Sequence, residues 1–214
     1  ASEEIEIEYQ EIFKFPTIIT VGRLTKQKGQ WHLIRAFKKV KEVLPEVKLI
    51  ILGQGELEEY LKELTLKLDL ENEVFFLGFQ KNPFKYIKRS TIYVFPSLYE
   101  GFPNALCEAM ACGIPVISTD CKSGPKEILA PETDLTQETK NIYYGQYGIL
   151  VPVCDDVMNN YNDSLTKEEE KMGESIIQIL KNPSLLNEYS DKGFMRVRDF
   201  SKENIIKVWE EELN

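Results

Sequence analysis

Five short apolar runs mark the first 120 residues: "PTIITVG" (16–22), "VKLIILG" (47–53), "EVFFLGF" (73–79), "TIYVFPS" (91–97) and "IPVISTD" (114–120). Helical spacing fills the gaps between them. In "GQWHLIRAFKKVKEVLP" (29–45), apolar residues recur at Trp31, Leu33, Ile34, Phe37, Val40 and Leu44 until Pro45 stops the helix. Residues 56–70, 82–90 and a segment opening near Asn104 predict further helices. Strands that are apolar throughout, rather than alternating, belong to parallel sheets covered on both faces. The pattern therefore predicts an α/β fold, a Rossmann-like doubly wound parallel sheet with helices on both faces and right-handed crossovers. Such folds bind ligands beyond the carboxyl ends of their strands. Gly22, Gly53, Gly78 and the loop 97–104 fall at those ends.

The second half changes character. Residues 130–148, "APETDLTQETKNIYYGQYG", are polar and aromatic without a period, and read as a loop or insertion before a last strand, "GILVPV" (148–153). After a loop over 154–164, Ser164 or Thr166 can cap a helix. Residues 167–183, 184–200 and 201–213 predict three helices, separated at Asn182-Pro183 and at Phe200-Ser201. At the other end, Ile5, Ile7 and Tyr9 alternate with Glu4, Glu6 and Glu8, a strand pattern with an acidic outer face. It reads either as an edge strand or as a linker from an upstream domain. The expected organisation is a linker or edge segment over 1–15, the Rossmann-like domain over 16–200 and a C-terminal helix over 201–214.

Composition changes this picture in three ways. The 214 residues are 43% apolar and 29% charged, with no apolar run long enough to span a membrane. The acidic start is no signal peptide, and Ala1 in place of Met suggests a processed chain or a piece of a longer one. A net charge of -9 argues against sequence-independent binding of nucleic acid, while leaving room for a local cationic pocket. The four cysteines, Cys107, Cys112, Cys121 and Cys154, form no C-x-x-C pair and predict reduced, mostly buried thiols in a cytosolic protein. The single histidine, His32, reads as a surface or packing residue of its helix rather than a catalyst.

Three segments carry candidate chemistry. In "VGRLTKQKGQ" (21–30), Gly22 ends a strand and Arg23, Lys26 and Lys28 precede a helix that begins near Gly29. Free N–H groups at a helix start, with cations beside them, can seat a diphosphate; a solvated basic turn has the same composition. "GQGELEEYL" (53–61) places Gly53 and Gly55 at a strand end, either to approach a base or phosphate or as an ordinary tight turn; Glu58 breaks the G-x-G-x-x-G fingerprint. In "PSLYEGFPNALCEAMACGIPVIST" (96–119), Glu100 lies in a loop, Asn104 can cap a helix, and Glu108 follows one turn in, roughly 6 Å along the axis. Two carboxylates so placed suit the hydroxyl pairs of a sugar and a ribose. The same residues also fit a glycosidase acid/base pair, or helix capping with a buried ion pair.

Taken in order, "VGRLTKQKG", "LIILGQGELEEYL", "VFFLGF", the Glu100–Glu108 block and "YGILVPV" resemble the C-terminal domain of retaining GT-B glycosyltransferases of family 4, across residues 16–153 and the final helices. "STDCKSGPKEIL" is similar to the subgroup that builds bacterial surface and lipid-linked glycans, often with N-acetylhexosamine donors. The resemblance implies that Arg23 and Lys28 bind the donor diphosphate and that Glu100 holds hydroxyls of the transferred sugar. The backbone of Gly101, Phe102, Pro103 and Asn104 would lie close to sugar and phosphate, with Gly22 at the phosphate loop. Glu108 would take the ribose hydroxyls, and Gly53, Gly55, Phe79 and Gln80 would line the base pocket. The donor it implies is a UDP-sugar, or another nucleotide diphosphate sugar. The partners are an acceptor glycan or lipid-linked sugar and an N-terminal Rossmann-like domain, and the setting is cytoplasmic or peripheral at the inner membrane face.

The chain departs from the family pattern at Ser123-Gly124-Pro125, where a Gly-Gly step is usual, and in the longer 131–147 segment. No second Rossmann pattern precedes residue 16, so half of an enzyme is expected. No Asp-x-Asp is present, and Asp155-Asp156 fall in a late loop, so no obligatory metal is expected. Two rivals share the pocket. A non-catalytic nucleotide-sugar-binding module fits the chain as it stands. An epimerase relative would need acid/base residues that a chain with one histidine lacks.

Overall fold

The computed structural model of the chain describes residues 3–212. Residues 1, 2, 213 and 214 of the expected terminal segments lie outside the described residues.

The N-terminal segment is a correction. Instead of an edge strand it forms a helical turn, α1 (Ile7–Gln10), followed by a 3-10 turn, Glu11–Lys14. Ile5 and Ile12, seven positions apart, are buried, while Ile7 is 85% exposed, so helical rather than alternating spacing decides what packs. Glu6 is held by Lys85 Nζ at 2.6 Å and by the Tyr86 hydroxyl, bonds that lower its carboxyl to about 2.

The expected strands follow as β1 (Thr17–Val21), β2 (Lys48–Leu52), β3 (Val74–Phe76), β4 (Ile92–Phe95), and β5 (Val116–Thr119). Between them lie α2 (Gln30–Val43), α3 (Glu58–Lys67), α4 (Phe84–Ile87) and α5 (Asn104–Ala111). Beyond β5 come α6 (Pro125–Leu129), β6 (Tyr143–Tyr144) and β7 (Ile149–Val151), then α7 (Lys167–Leu180), α8 (Pro183–Arg196) with a 3-10 turn Val197–Phe200, and α9 (Lys202–Glu212). Periodicity missed α6, which has too few residues to show a period, and β6, which lies within the segment read as loop.

The seven strands are ordered β3-β2-β1-β4-β5-β7-β6, all parallel except the β6–β7 pair. The direction of winding reverses between β1 and β4. Alternate residues of each strand face opposite layers. Ile18, Leu49 and Ile51 join α2, α3 and α7 in one core, while Ile19, Ile50 and Leu52 join α4, α5 and α6 in the other. This is a Rossmann-like doubly wound sheet. The cysteines are free thiols, Cys107 and Cys112 partly buried and Cys121 and Cys154 buried; burial pushes Cys107 up to about 11 and Cys121 up to about 12.

A buried polar cluster locks α2 to α7. Thr166 and Glu169 form a capping box at the start of α7, and the fully buried Glu169 carboxylate also meets His32 Nδ1 and Arg35 Nε, each at 2.8 Å. His32 is thus an interior packing residue, its Nε2 2.9 Å from the carbonyl of Asp155. Arg35 reaches the carbonyls of Asn160, Asp163 (3.2 Å) and Ser164 (2.9 Å), and Trp31 donates to that of Val157 at 3.2 Å. The loop after β7 is thereby stitched to α2.

Burial pushes the Glu169 carboxyl up, but the bonds from His32, Arg35 and the Thr166 N–H outweigh it and hold it below the ordinary carboxylate range. The folded chain therefore binds that proton less tightly than the unfolded chain. The resulting stability is complete above the ordinary carboxylate value and is lost as pH falls through the depressed one. Glu169→Ala should cost about 3–5 kcal/mol, because it strands the buried Arg35 guanidinium and leaves His32 Nδ1 without its partner. Urea unfolding should show that deficit at pH 7, and the wild-type advantage should shrink as the pH is lowered below the carboxylate range.

Candidate functional site

Glycine sets how closely the loops at the carboxyl ends of the strands approach. Gly53, at φ 142° after β2, lies against Gly22 after β1: a Cβ there would fall 1.8 Å from the Gly22 carbonyl oxygen. Gly29, at φ 60° before α2, lies against the end of β4, where a Cβ would fall 2.3 Å from the Pro96 carbonyl oxygen. Gly55 packs on the Leu24 backbone, and the N–H of Gly53 donates to Gly78 O at 2.8 Å. Four loops thus converge on the point where the sheet reverses.

At their centre Lys28 Nζ meets Glu100 Oε1 at 2.6 Å, with side chains 18% and 8% exposed. The Lys28 ammonium also lies 5.3 Å from the centroid of the Phe95 ring. A pair this shielded gains more from its attraction than an exposed one, and leaves either member costly if the other is removed. Arg23 is exposed on the same β1–α2 loop as Lys28, and among the described residues its guanidinium forms no ion pair. Gln30, 1% exposed, donates to the Arg23 carbonyl at 3.0 Å and fixes the loop that carries it. No pattern had singled out Gln30; its place in the first turn of an otherwise apolar helix face was the available signal.

The Glu100 loop is held from the β5–α6 turn. Glu100 N donates to Lys122 O at 2.7 Å, and Ser123 N donates to Glu100 O at 3.0 Å. Among the described residues, the N–H groups of Gly101 and Phe102 donate to no protein acceptor. Phe102 is half exposed and Pro103 is buried. The helix start is a correction: Pro103 holds the cap position and exposed Asn104 is the first helical residue. The Pro103 carbonyl accepts from Leu106 N at 2.9 Å, so the backbone opens the helix without an asparagine cap.

Glu108 is brought less close. It is exposed and borders a groove of about 620 Å³ that runs between α4 and α8, past Phe84, Lys88 and Phe194. Its charge and that of Glu100 both reach the phenol of Tyr93, which burial pushes up and whose hydroxyl donates to Val21 O at 3.2 Å. Both carboxylates are therefore within electrostatic reach of the Tyr93 hydroxyl. Phe79 is 71% exposed, and the Gln80 side chain is turned inward, donating to Leu77 O at 2.6 Å. Behind the rim, Asp120 pairs with Lys126 at 2.8 Å and accepts from Thr139 N at 2.7 Å, which pins the 131–142 segment to the end of β5. Asp155 and Asp156 are exposed, and among the described residues no group of three or more His, Cys, Asp or Glu is arranged to hold a metal ion. No helix among the described residues is long and apolar enough to cross a membrane.

Residues 2–142, which carry this rim, match a known family, described as Glycosyl transferases group 1. The chain belongs to that family. It is 48% identical over 213 residues to an uncharacterised glycosyltransferase of Methanocaldococcus jannaschii, covering 98% of this chain and 52% of that protein. It is 33% identical over 190 residues to a Campylobacter jejuni enzyme named as an N-acetylgalactosaminyltransferase acting on a diphospho-undecaprenol-linked sugar, covering 89% and 44%. The chain spans about half the length of the curated relatives it matches. Among solved structures, Anabaena HepE in complex with UDP superposes with a TM-score of 0.75 at 22% identity, over 96% of this chain and 50% of that one. The pneumococcal O-GlcNAc transferase GtfA, with UDP and GlcNAc, gives 0.74 at 22%, over 92% and 35%. At such identities these neighbours, GT-B glycosyltransferases, show the shared fold.

Lys28→Ala leaves the Glu100 carboxylate shielded and unpaired, and should lower stability by about 1–3 kcal/mol. The double variant Lys28→Met/Glu100→Gln should recover most of that loss. Denaturant midpoints of Lys28→Met, Glu100→Gln and the double variant check the coupling.

Proposed function

We propose that the chain is the C-terminal, donor-binding domain of a retaining GT-B glycosyltransferase of family 4. The donor is a UDP-sugar carrying a hexose or N-acetylhexosamine. The acceptor is a hydroxyl of a surface or lipid-linked glycan, and an N-terminal Rossmann-like domain supplies the acceptor side. The observation that carries this reading is the Lys28–Glu100 pair at the reversal point of the sheet, with Arg23 on the same loop as Lys28 and the Gly101 and Phe102 N–H groups following Glu100, all three without a protein partner among the described residues. The UDP named in the neighbouring structures, and the lipid-linked sugar named for the Campylobacter relative, support donor and acceptor class.

In this reading the diphosphate enters between Arg23 and Lys28. Lys28 then divides its three donors between the phosphate and Glu100, and so ties the charge of the leaving group to the carboxylate that holds the sugar. Departure of the diphosphate builds negative charge, which the two cations and the Gly101 and Phe102 N–H groups stabilise without reorganising. Glu108 accepts from the ribose hydroxyls at the mouth of its groove. The backbone around Gly53, Gly55, Phe79 and Gln80 receives the base, and Gly22 lets the phosphates lie close to the chain. Charge stabilisation rests on these cations and needs no obligatory metal. The rival, a binding module without transfer, uses the same pocket and differs only in activity once the chain is joined to the other half of its relatives' length.

Titration calorimetry separates the roles. Arg23→Ala and Lys28→Ala should weaken UDP by about 10- to 100-fold each while leaving UMP much less affected. Glu108→Ala should weaken UDP, UMP and uridine alike. Equal losses for UMP and UDP in the cation variants would overturn the diphosphate assignment.

A further inference from the structure

Glu100 stands on a loop with no regular structure of its own, and residues 100–103 rest on two supports. One is the β5–α6 turn, whose Ser123 Oγ also donates to Gly101 O at 3.1 Å and whose Gly124, at φ 101°, lies so close that a Cβ would fall 2.4 Å from the Pro103 ring. The second comes from the 3-10 turn after α8. Phe102 meets Phe200 edge to face, with ring centroids 5.6 Å apart and planes at 64°.

Phe200 is itself clamped. The Arg196 guanidinium lies 4.8 Å from its ring centroid and 5.2 Å from that of Tyr147. The same guanidinium donates to the carbonyls of Glu127 at 2.9 Å and Ile128 at 3.2 Å, in α6. The 3-10 turn after α8 is thus fastened to the region that supports the Glu100 loop from the opposite side. Phe200 is half-buried, packed at the margin of the second core, and its ring is in contact with that of Phe102. Aromatic edge contacts fix ring orientation, and here the ring belongs to the residue between Gly101 and Pro103.

We propose that Phe200 is a positioning residue of the donor site. By packing on Phe102 it holds the Gly101–Phe102 backbone, and with it Glu100, in the geometry that receives the sugar part of the donor. This role rests on the donor reading above. It divides the ligand unevenly: the sugar depends most on Phe200, and the nucleotide, held chiefly by Arg23, Glu108 and the loops after β2 and β3, depends on it less.

Phe200→Ala, Phe200→Tyr and, as a control on the same helical end, the exposed Met195→Ala test this with two readouts. The first is amide hydrogen exchange of residues 100–104 in the ligand-free chain. The second is calorimetry with UDP and with whichever of UDP-glucose, UDP-galactose, UDP-N-acetylglucosamine and UDP-N-acetylgalactosamine the wild type binds best. Phe200→Ala should speed exchange in that loop and weaken the UDP-sugar by about 2- to 12-fold, with UDP weakened less. Phe200→Tyr and Met195→Ala should behave as wild type. Unchanged loop exchange in Phe200→Ala, or parallel losses for UDP and UDP-sugar, would overturn the proposal. Should Phe200→Ala unfold, Phe102→Ala removes the same contact from the other side and must give the same selective loop opening, or the proposal falls. A wild-type chain that binds neither UDP nor any of the four sugars overturns the donor reading itself, even where loop exchange responds as described.

Discussion

Lys28 and Glu100 are 72 positions apart in the chain and share one hydrogen bond. They meet because β1 and β4 lie side by side where the winding of the sheet reverses, so the loops that leave them face each other with no crossover between. The approach is possible only without side chains at two points, Gly29 against Pro96 and Gly53 against Gly22. A Cβ at either would overlap the facing carbonyl oxygen and force the loops apart. Once together, both charges are largely withdrawn from water, so each requires the other. A chain with a net charge of -9 concentrates positive charge at this rim, and Arg23 leaves part of it unneutralised.

That rim is only as well placed as α2, because Gly29 and Lys28 lead directly into its first turn. Glu169 fixes the helix from behind. One buried carboxylate accepts from His32, from Arg35 and from the start of α7, while Arg35 and Trp31 gather the loop after β7. The other half of the rim is fixed by a smaller device of the same type, Asp120 with Lys126 and the Thr139 N–H. Buried charge here serves geometry, since replacing such clusters by apolar groups need not lower stability but would remove the directional bonds that set the loops. Fold alone does not name a chemistry; the charged and glycine positions grafted on this sheet do.

Continuous apolar runs made the parallel sheet legible, and Gly22, Gly53 and the 97–104 loop fell at the strand ends where a ligand is expected. The 3.6-residue period located α2 and α3 because each is long enough to repeat it. The same reasoning failed where segments are short or where polar residues work inward. Ile5, Ile7 and Tyr9 alternate like a strand, yet Glu6 finds Lys85 and Tyr86, and the segment coils to bury Ile5 and Ile12. Asn104 has the chemistry of a cap, but Pro103 already occupies that position.

Local order in the chain was enough to determine the alternation of strands and helices, the face each buries, the turns that need glycine and the stretch that holds the two glutamates. These depend on neighbours within a few positions, and spacing records them. Which charges touch was decided only by the tertiary structure. Arg35 and Glu169 are 134 positions apart, and the Phe102–Phe200 contact joins the middle of the chain to its last helices. Such meetings follow from the order in which strands stack and from how closely backbones can approach, and no periodicity along a single chain carries that information.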